Sequence, residues 1–314
     1  MSGAAAAETP AGSLERLLAG DILALAKAIT AVENDLPQAA EILAAIQTHL
    51  GRALVVGVTG PPGAGKSTLV NAVIADLRAR RRTVAVIAVD PSSPLSGGAI
   101  LGDRIRMADH AGDRGVFVRS MASRGQLGGL APAVVRVIDV IDAAARDVIV
   151  VETVGAGQAE VEIADVADVK VVVNAPGLGD DVQAIKSGIL EIADILVVNK
   201  ADLPLAQRTI KQLNGMLALR QGTARAIPVL ATTATEGTGV DRLVAAILER
   251  APDARARRTN RLARVRRLIA DAAAREVRAR LRHKGDARLD RLCQDVLAGR
   301  IDVAAAARRL LDGD

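Results

Sequence analysis

Gly60-Pro61-Pro62-Gly63-Ala64-Gly65-Lys66-Ser67 is the stretch on which the reading of this chain turns. It fills every fixed position of G-x-x-x-x-G-K-[ST], with an apolar run before it (54–58) and a helical stretch after it (68–79). The chemistry needs this order of residues. Glycines let the backbone curl so that its amides point inward at a phosphate, and the following helix adds the positive end of its dipole. Lys66 is the residue to neutralise β- and γ-phosphates, and the Ser67 hydroxyl is a ligand for magnesium. Gly60, Pro61, Pro62, Gly63, Ala64, Gly65 and Thr68 complete the candidate phosphate cradle.

Outward from this loop the chain alternates. Short β-branched runs at 54–60, 83–90, 115–120, 147–155, 169–177, 194–202 and 227–233 are separated by helical stretches. The runs are apolar throughout, as a parallel strand covered on both faces requires. The expected fold is therefore α/β, a doubly wound, mostly parallel sheet over residues 51–250. Residues 1–50 read as a helical extension broken at Pro37. After Pro252 the strands stop, and 257–282 and 286–312 read as two helices, so 251–314 is expected to be a helical arm. Ligands of such sheets bind at the C-terminal ends of the strands, where the informative residues should lie.

Composition narrows the function. The 314 residues are 50% hydrophobic and 25% charged, with one cysteine, Cys293, which excludes a disulfide framework and thiolate-rich metal sites. No apolar run reaches the roughly 20 residues of a membrane span, and residues 1–7 carry no basic group of a secretory leader; a cytoplasmic, membrane-free protein is expected. Phe117 is the sole aromatic residue, so the stacking platforms of single-strand nucleic-acid binders are missing and no nucleic-acid partner is expected. From Ala251 onward 17 Arg and Lys face 9 Asp and Glu, whereas residues 1–250 hold 24 against 27. The basic excess of the tail is read as a solvated helical surface, since apolar residues interleave at helical spacing.

A second motif names the base. Asn199-Lys200-Ala201-Asp202 ends a buried run and matches N-K-x-D. A carboxylate at Asp202 can accept from N1–H and the 2-amino group of guanine, whereas adenine offers neither and leaves the charge unmatched. Asn199 would brace the loop and Lys200 lie along the base. Thr232-Thr233-Ala234 follows the last run, and Thr233 and Ala234 are candidates for donating amides to the guanine carbonyl. Glu152-Thr153-Val154-Gly155 stands where GTPases carry D-x-x-G, with Glu152 for the metal and Gly155 for the γ-phosphate. Asp90 and Asp103 are two further acidic candidates for the magnesium site, Asp103 in the Gly-rich stretch 96–103. No Gln directly follows Gly155 to aim a water, so slow intrinsic hydrolysis of GTP to GDP is expected, with Gln158 and Lys186 as further candidates.

Asp90-Pro91-Ser92-Ser93-Pro94, SGGAILGDRIRM (96–107), RSMASRGQLGG (119–129), ETVGAGQAE (152–160), GLGDDVQAIKSG (177–188) and EIADILVVNKAD (191–202) together resemble the MeaB/ArgK family of P-loop GTPases. The resemblance covers the whole α/β segment. It implies a homodimeric GTPase chaperone, paired through its C-terminal arm, that protects an adenosylcobalamin-dependent methylmalonyl-CoA mutase and gates its cofactor loading. It further implies that Asp90, Asp103 and Glu152 occupy the family's metal-site positions. Residues 174–186 match a mobile third switch that answers to the mutase and contains Lys186. Family members have been labelled transport-system ATPases or kinases, but N-K-x-D argues against ATP. Three other readings compete, one of them a nucleic-acid-associated GTPase that would use the basic tail and lose affinity steeply with salt. A nickel-insertion GTPase would need His and Cys ligands, whereas His49, His110 and His283 are far apart in sequence; a small-molecule kinase would bind ATP.

Overall fold

The computed structural model describes residues 10–90, 110, 112–122, 132–153, 159–177, 189–218, 226–281 and 287–312. Seven strands form within them, six inside their apolar runs and β3 extending two residues past its run at 115–120: β1 (Leu54–Thr59), β2 (Val84–Asp90), β3 (Val116–Ala122), β4 (Val148–Thr153), β5 (Val169–Asn174), β6 (Ile195–Val198) and β7 (Val229–Ala231). They make one sheet in the order β3-β2-β4-β1-β5-β6-β7, and every described pairing is parallel. All six residues of β1 and of β4 are buried, which fits helices on both faces.

The helices are α1 (Pro10–Leu18), α2 (Ile22–Glu33), α3 (Ala39–Ala45), α4 (Lys66–Ala79), α5 (Pro132–Ala143), α6 (Ala159–Val166), α7 (Ile189–Ile192), α8 (Ala206–Ala218), α9 (Val240–Glu249), α10 (Ala254–Leu281), α11 (Ala287–Leu297) and α12 (Val303–Asp312). On one face of the sheet α4 and α9 press Leu69, Ile74, Leu77, Leu243 and Ile247 onto Val56, Val86, Val150, Val171 and Val197. On the other, Ala206 and Leu213 of α8 close over Val172, Leu196 and Val198. Burying a side chain of this size contributes about 1.5–3 kcal/mol, so the valine-rich strands anchor the loops above them.

Two helix boundaries depart from expectation. The N-terminal stripe breaks at Gly20 as well as at Pro37: Gly20 has φ 78°, and Asp21 then caps α2 by accepting from the Ala24 amide at 2.8 Å. The last helix is split, because Gly299 adopts φ 69° and Asp302 caps α12 through the Ala305 amide at 2.6 Å.

The chain divides into two compact units, Met1–Arg264 and Val265–Asp314. In the first, the root of α10 is held by polar contacts at the N-terminal end of the sheet. Asp168 accepts from the Val55 amide (3.0 Å) and from Asn260 Nδ2 (2.8 Å), and lies 3.7 Å from the buried Arg264 guanidinium. Asp142 accepts from the amides of Arg52 and Ala53, while Arg257 donates to the Arg52 carbonyl at 3.1 Å. Residues 254–264 therefore belong with the α/β unit, although 251 was expected to begin a separate arm. In the second unit α11 and α12 pack on each other, and Leu297, Val303 and Leu311 are exposed.

Candidate nucleotide site

The chain leaves β1 toward β2 on one side, and after β4 it crosses to β5 on the other, so the topology switches direction beside β1. Binding crevices of open α/β sheets form at the strand C-termini at such a point. The phosphate-loop sequence sits there. It runs from the end of β1 into α4, which begins at Lys66 with Gly65 as its N-cap.

Gly60 has φ 138° and Gly65 φ 82°. A Cβ at Gly60 would stand 2.0 Å from the Val173 carbonyl oxygen, and one at Gly65 would stand 2.5 Å from Asn199 Nδ2. Both glycines are required twice, by backbone conformation and by the neighbours they touch. Lys66 is 7% exposed and donates from Nζ to the carbonyls of Gly60 (2.8 Å) and Pro61 (3.0 Å). Its ammonium is thus held over the loop it belongs to. The Ser67 hydroxyl donates to Glu152 Oε1 at 2.6 Å, both side chains being buried. A hydroxyl and a carboxylate this close are oxygen donors suited to a hard cation, which takes one or two carboxylates and leaves room for phosphate oxygens. These residues fit magnesium.

Asn199 is the joint of the site. It is 2% exposed; its Nδ2 donates to the Ala64 carbonyl at 3.0 Å, and its Oδ1 accepts from Thr232 Oγ1 at 3.1 Å and from the Ala234 amide at 3.2 Å. One carboxamide thereby ties the phosphate loop to the loops after β6 and β7. Lys200, at φ 55°, and Asp202 stand exposed beside it. The amides expected to meet a guanine carbonyl are engaged within the chain: Thr233 N donates to the Thr238 carbonyl at 3.0 Å, and Ala234 N donates to Asn199.

The structure thus brings together Gly60 through Thr68, Glu152, Asn199, Lys200, Asp202, Thr233 and Ala234 around the strand C-termini. Asp90 ends β2 two strands from β1. Asp103, Gly155, Gln158 and Lys186 lie outside the described residues. Sequence reasoning missed the hydroxyl pair beneath the loop, where Thr153 Oγ1 donates to Thr59 Oγ1 at 2.9 Å with both residues at most 1% exposed. A threonine closing each of two otherwise apolar strands was the available signal. Asn174, the first residue of the stretch likened to a third switch, accepts through its main-chain carbonyl from the Asn199 amide at 2.8 Å.

Known proteins match this chain over most of its length. The family profile described as methylmalonyl-CoA mutase-associated GTPase MeaB matches residues 25–286. A relative from Pyrococcus horikoshii is 49% identical over 279 residues, 85% of this chain and 88% of its own. The mouse mitochondrial methylmalonic aciduria type A homolog is 33% identical over 243 residues, 71% of this chain and 59% of that one. The crystal structure of an LAO/AO transport system kinase superposes with a TM-score of 0.73 at 29% identity, covering 96% of each chain. With an unbroken phosphate loop, N-K-x-D at the end of β6 and this match over most of its length, the chain belongs to the MeaB family of P-loop GTPases.

Proposed function

We propose that this protein binds GTP with magnesium, hydrolyses it slowly to GDP, and uses the cycle as a homodimeric chaperone of a cobalamin-dependent acyl-CoA mutase of the methylmalonyl-CoA type. The observation that carries the nucleotide half is Asn199, whose side chain bonds both to the phosphate loop and to the loop after β7. Base and triphosphate would be sensed by one connected unit. Lys66 supplies positive charge to the β- and γ-phosphates, and the dipole of α4 adds to it. Ser67 and Glu152, with Asp90 and Asp103, would hold the magnesium ion, which offsets phosphate charge when bound.

Catalysis in this reading is electrostatic: Lys66 and the loop amides stabilise negative charge spread over the transferring phosphoryl group. Ala156, not Gln, follows Gly155, so the chain brings no side chain there to orient the water, and turnover alone is slow. Lys186 is the residue to supply further positive charge when the mutase engages. The mutase assignment rests on the family name and on the mouse relative. Among the described residues no helix is long and apolar enough to cross a membrane, which is compatible with work beside a cytoplasmic enzyme.

The test is affinity capture from native extract on the protein loaded with a non-hydrolysable GTP analogue, followed by hydrolysis assays with the captured enzyme. Retention of a cobalamin mutase that speeds hydrolysis is expected. Unchanged hydrolysis in the presence of purified mutase would overturn the chaperone reading.

A further inference from the structure

Thr59 ends β1 and Thr153 ends β4, and neither is more than 1% exposed. Buried hydroxyls need partners, and these two have each other: Thr153 Oγ1 donates to Thr59 Oγ1 at 2.9 Å. Two valines would fill the same space and leave no polar group to satisfy. The pair therefore calls for a reason beyond packing. It stands where the backbone pairing of the two strands gives out. The register of β1 with β4 runs from Leu54 opposite Val148 to Val58 opposite Glu152. Thr59 then pairs with Val172 of β5, and Thr153 with Val89 of β2. The hydroxyl bond joins β1 to β4 one residue beyond their ladder.

Successive side chains of a strand point to opposite faces of the sheet. Val58 and Val150 pack into the core beneath α4 and α9, and Glu152 reaches Ser67 of α4 on that same face. Thr59 and Thr153 accordingly meet on the other face. Thr59 immediately precedes the phosphate loop, and Ser67 is its last residue. Two consecutive residues of β4 thus hold both ends of the loop, Glu152 from one face of the sheet and Thr153 from the other. The peptide between them is planar and stiff, so a displacement of Thr153 is passed on to Glu152.

We propose that Thr59 and Thr153 are positioning residues of the magnesium and triphosphate site, their hydroxyl bond fixing the end of β4 against the phosphate loop and thereby setting Glu152 against the Ser67 hydroxyl. This deepens the GTP–magnesium reading above and rests on it. Neither threonine touches nucleotide or metal in this assignment; both act through Glu152 and the loop.

The test uses Thr59→Val, Thr153→Val and the double variant, with Thr153→Ser as the conservative replacement. GTPγS binding is titrated over a series of magnesium concentrations, GDP binding is measured in EDTA, and urea unfolding is followed for each protein. Either single valine leaves one hydroxyl buried without its partner and should lower stability. The double variant removes both polar groups at equal volume and should return close to wild-type stability. The magnesium concentration at half-saturation should nevertheless rise about 3–10-fold in all three valine variants, the factor a neutral hydrogen bond is worth, with GDP in EDTA held within about twofold. Thr153→Ser should keep the wild-type value. kcat for GTP should fall at low magnesium in the valine variants and recover at saturating metal. A double variant with wild-type magnesium dependence, or one that loses GDP in EDTA by the same factor, would assign the pair to packing alone and overturn the proposal. Should the valine variants fail to fold, Thr153→Ala against Thr153→Ser decides, equal magnesium dependence overturning it. If the wild-type protein binds neither GTPγS nor GDP, the underlying GTP reading falls instead.

Discussion

Replacing Asn199 with alanine removes a carboxamide that is 2% exposed and holds three chain segments at once. Its bonds to Ala64 O, Thr232 Oγ1 and Ala234 N measure 3.0, 3.1 and 3.2 Å. The fourth contact, to Gly65 O at 3.4 Å, is long, and that carbonyl also accepts from the Leu69 amide at 2.9 Å, so it loses little. Three buried polar groups are then left without partners at about 1 kcal/mol each, which sums to about 3 kcal/mol, or roughly a hundredfold in the folding equilibrium. Urea unfolding followed by circular dichroism reads this as a lower midpoint at unchanged slope. Asp202→Ala is the matched control: that side chain is exposed, so its loss should move stability by no more than about 0.5 kcal/mol. Equal midpoints for Asn199→Ala and wild type would refute the claim that this side chain joins the loops.

Three other perturbations separate the parts of the account. Glu152→Gln keeps an acceptor for Ser67 Oγ while removing the buried charge, so stability should change by under about 1 kcal/mol while GTP hydrolysis falls on the order of 100-fold and needs more magnesium; undiminished turnover in a steady-state phosphate-release assay would count against Glu152 as a metal-site residue. Asp168→Ala takes from the buried Arg264 guanidinium the carboxylate 3.7 Å away and strips partners from Val55 and Asn260, a loss of about 3 kcal/mol in chemical denaturation; a small change would mean that α10 is not anchored there. Asp139 is pushed up from 3.8 to about 6 by burial, against the pull of Arg261 and Arg264 and with the push of Asp142. The folded protein therefore binds this proton more tightly than the unfolded chain, and stability falls as pH rises from about 4 to about 6. Asp139→Asn should be more stable to urea than wild type at pH 8, by about 3 kcal/mol, with the gain gone at pH 4; a gain independent of pH would exclude the titration.

The sheet was readable from composition along the chain because its strands are buried on both faces. Val-rich runs such as 148–153 have no polar alternation to confuse with an exposed strand, and each sits between helical stretches. The phosphate loop and N-K-x-D were legible because their chemistry fixes both residue type and spacing. Less legible were features that depend on distant partners. Asp168 meets Asn260 across 92 residues, and Thr59 meets Thr153 across 94; no local pattern pairs them. The break at 298–302 was hidden by the helical spacing on both sides of it, while its cause, a left-handed Gly299, was present in the sequence all along.

Calorimetric titration of the magnesium-loaded protein with GDP and ADP, repeated on Asp202→Asn with xanthosine diphosphate, addresses the guanine-nucleotide assignment most directly. The expected result is GDP held on the order of 1,000-fold more tightly than ADP, with preference passing to the xanthine nucleotide in the variant. Equal affinity for GDP and ADP in the wild-type protein would contradict it.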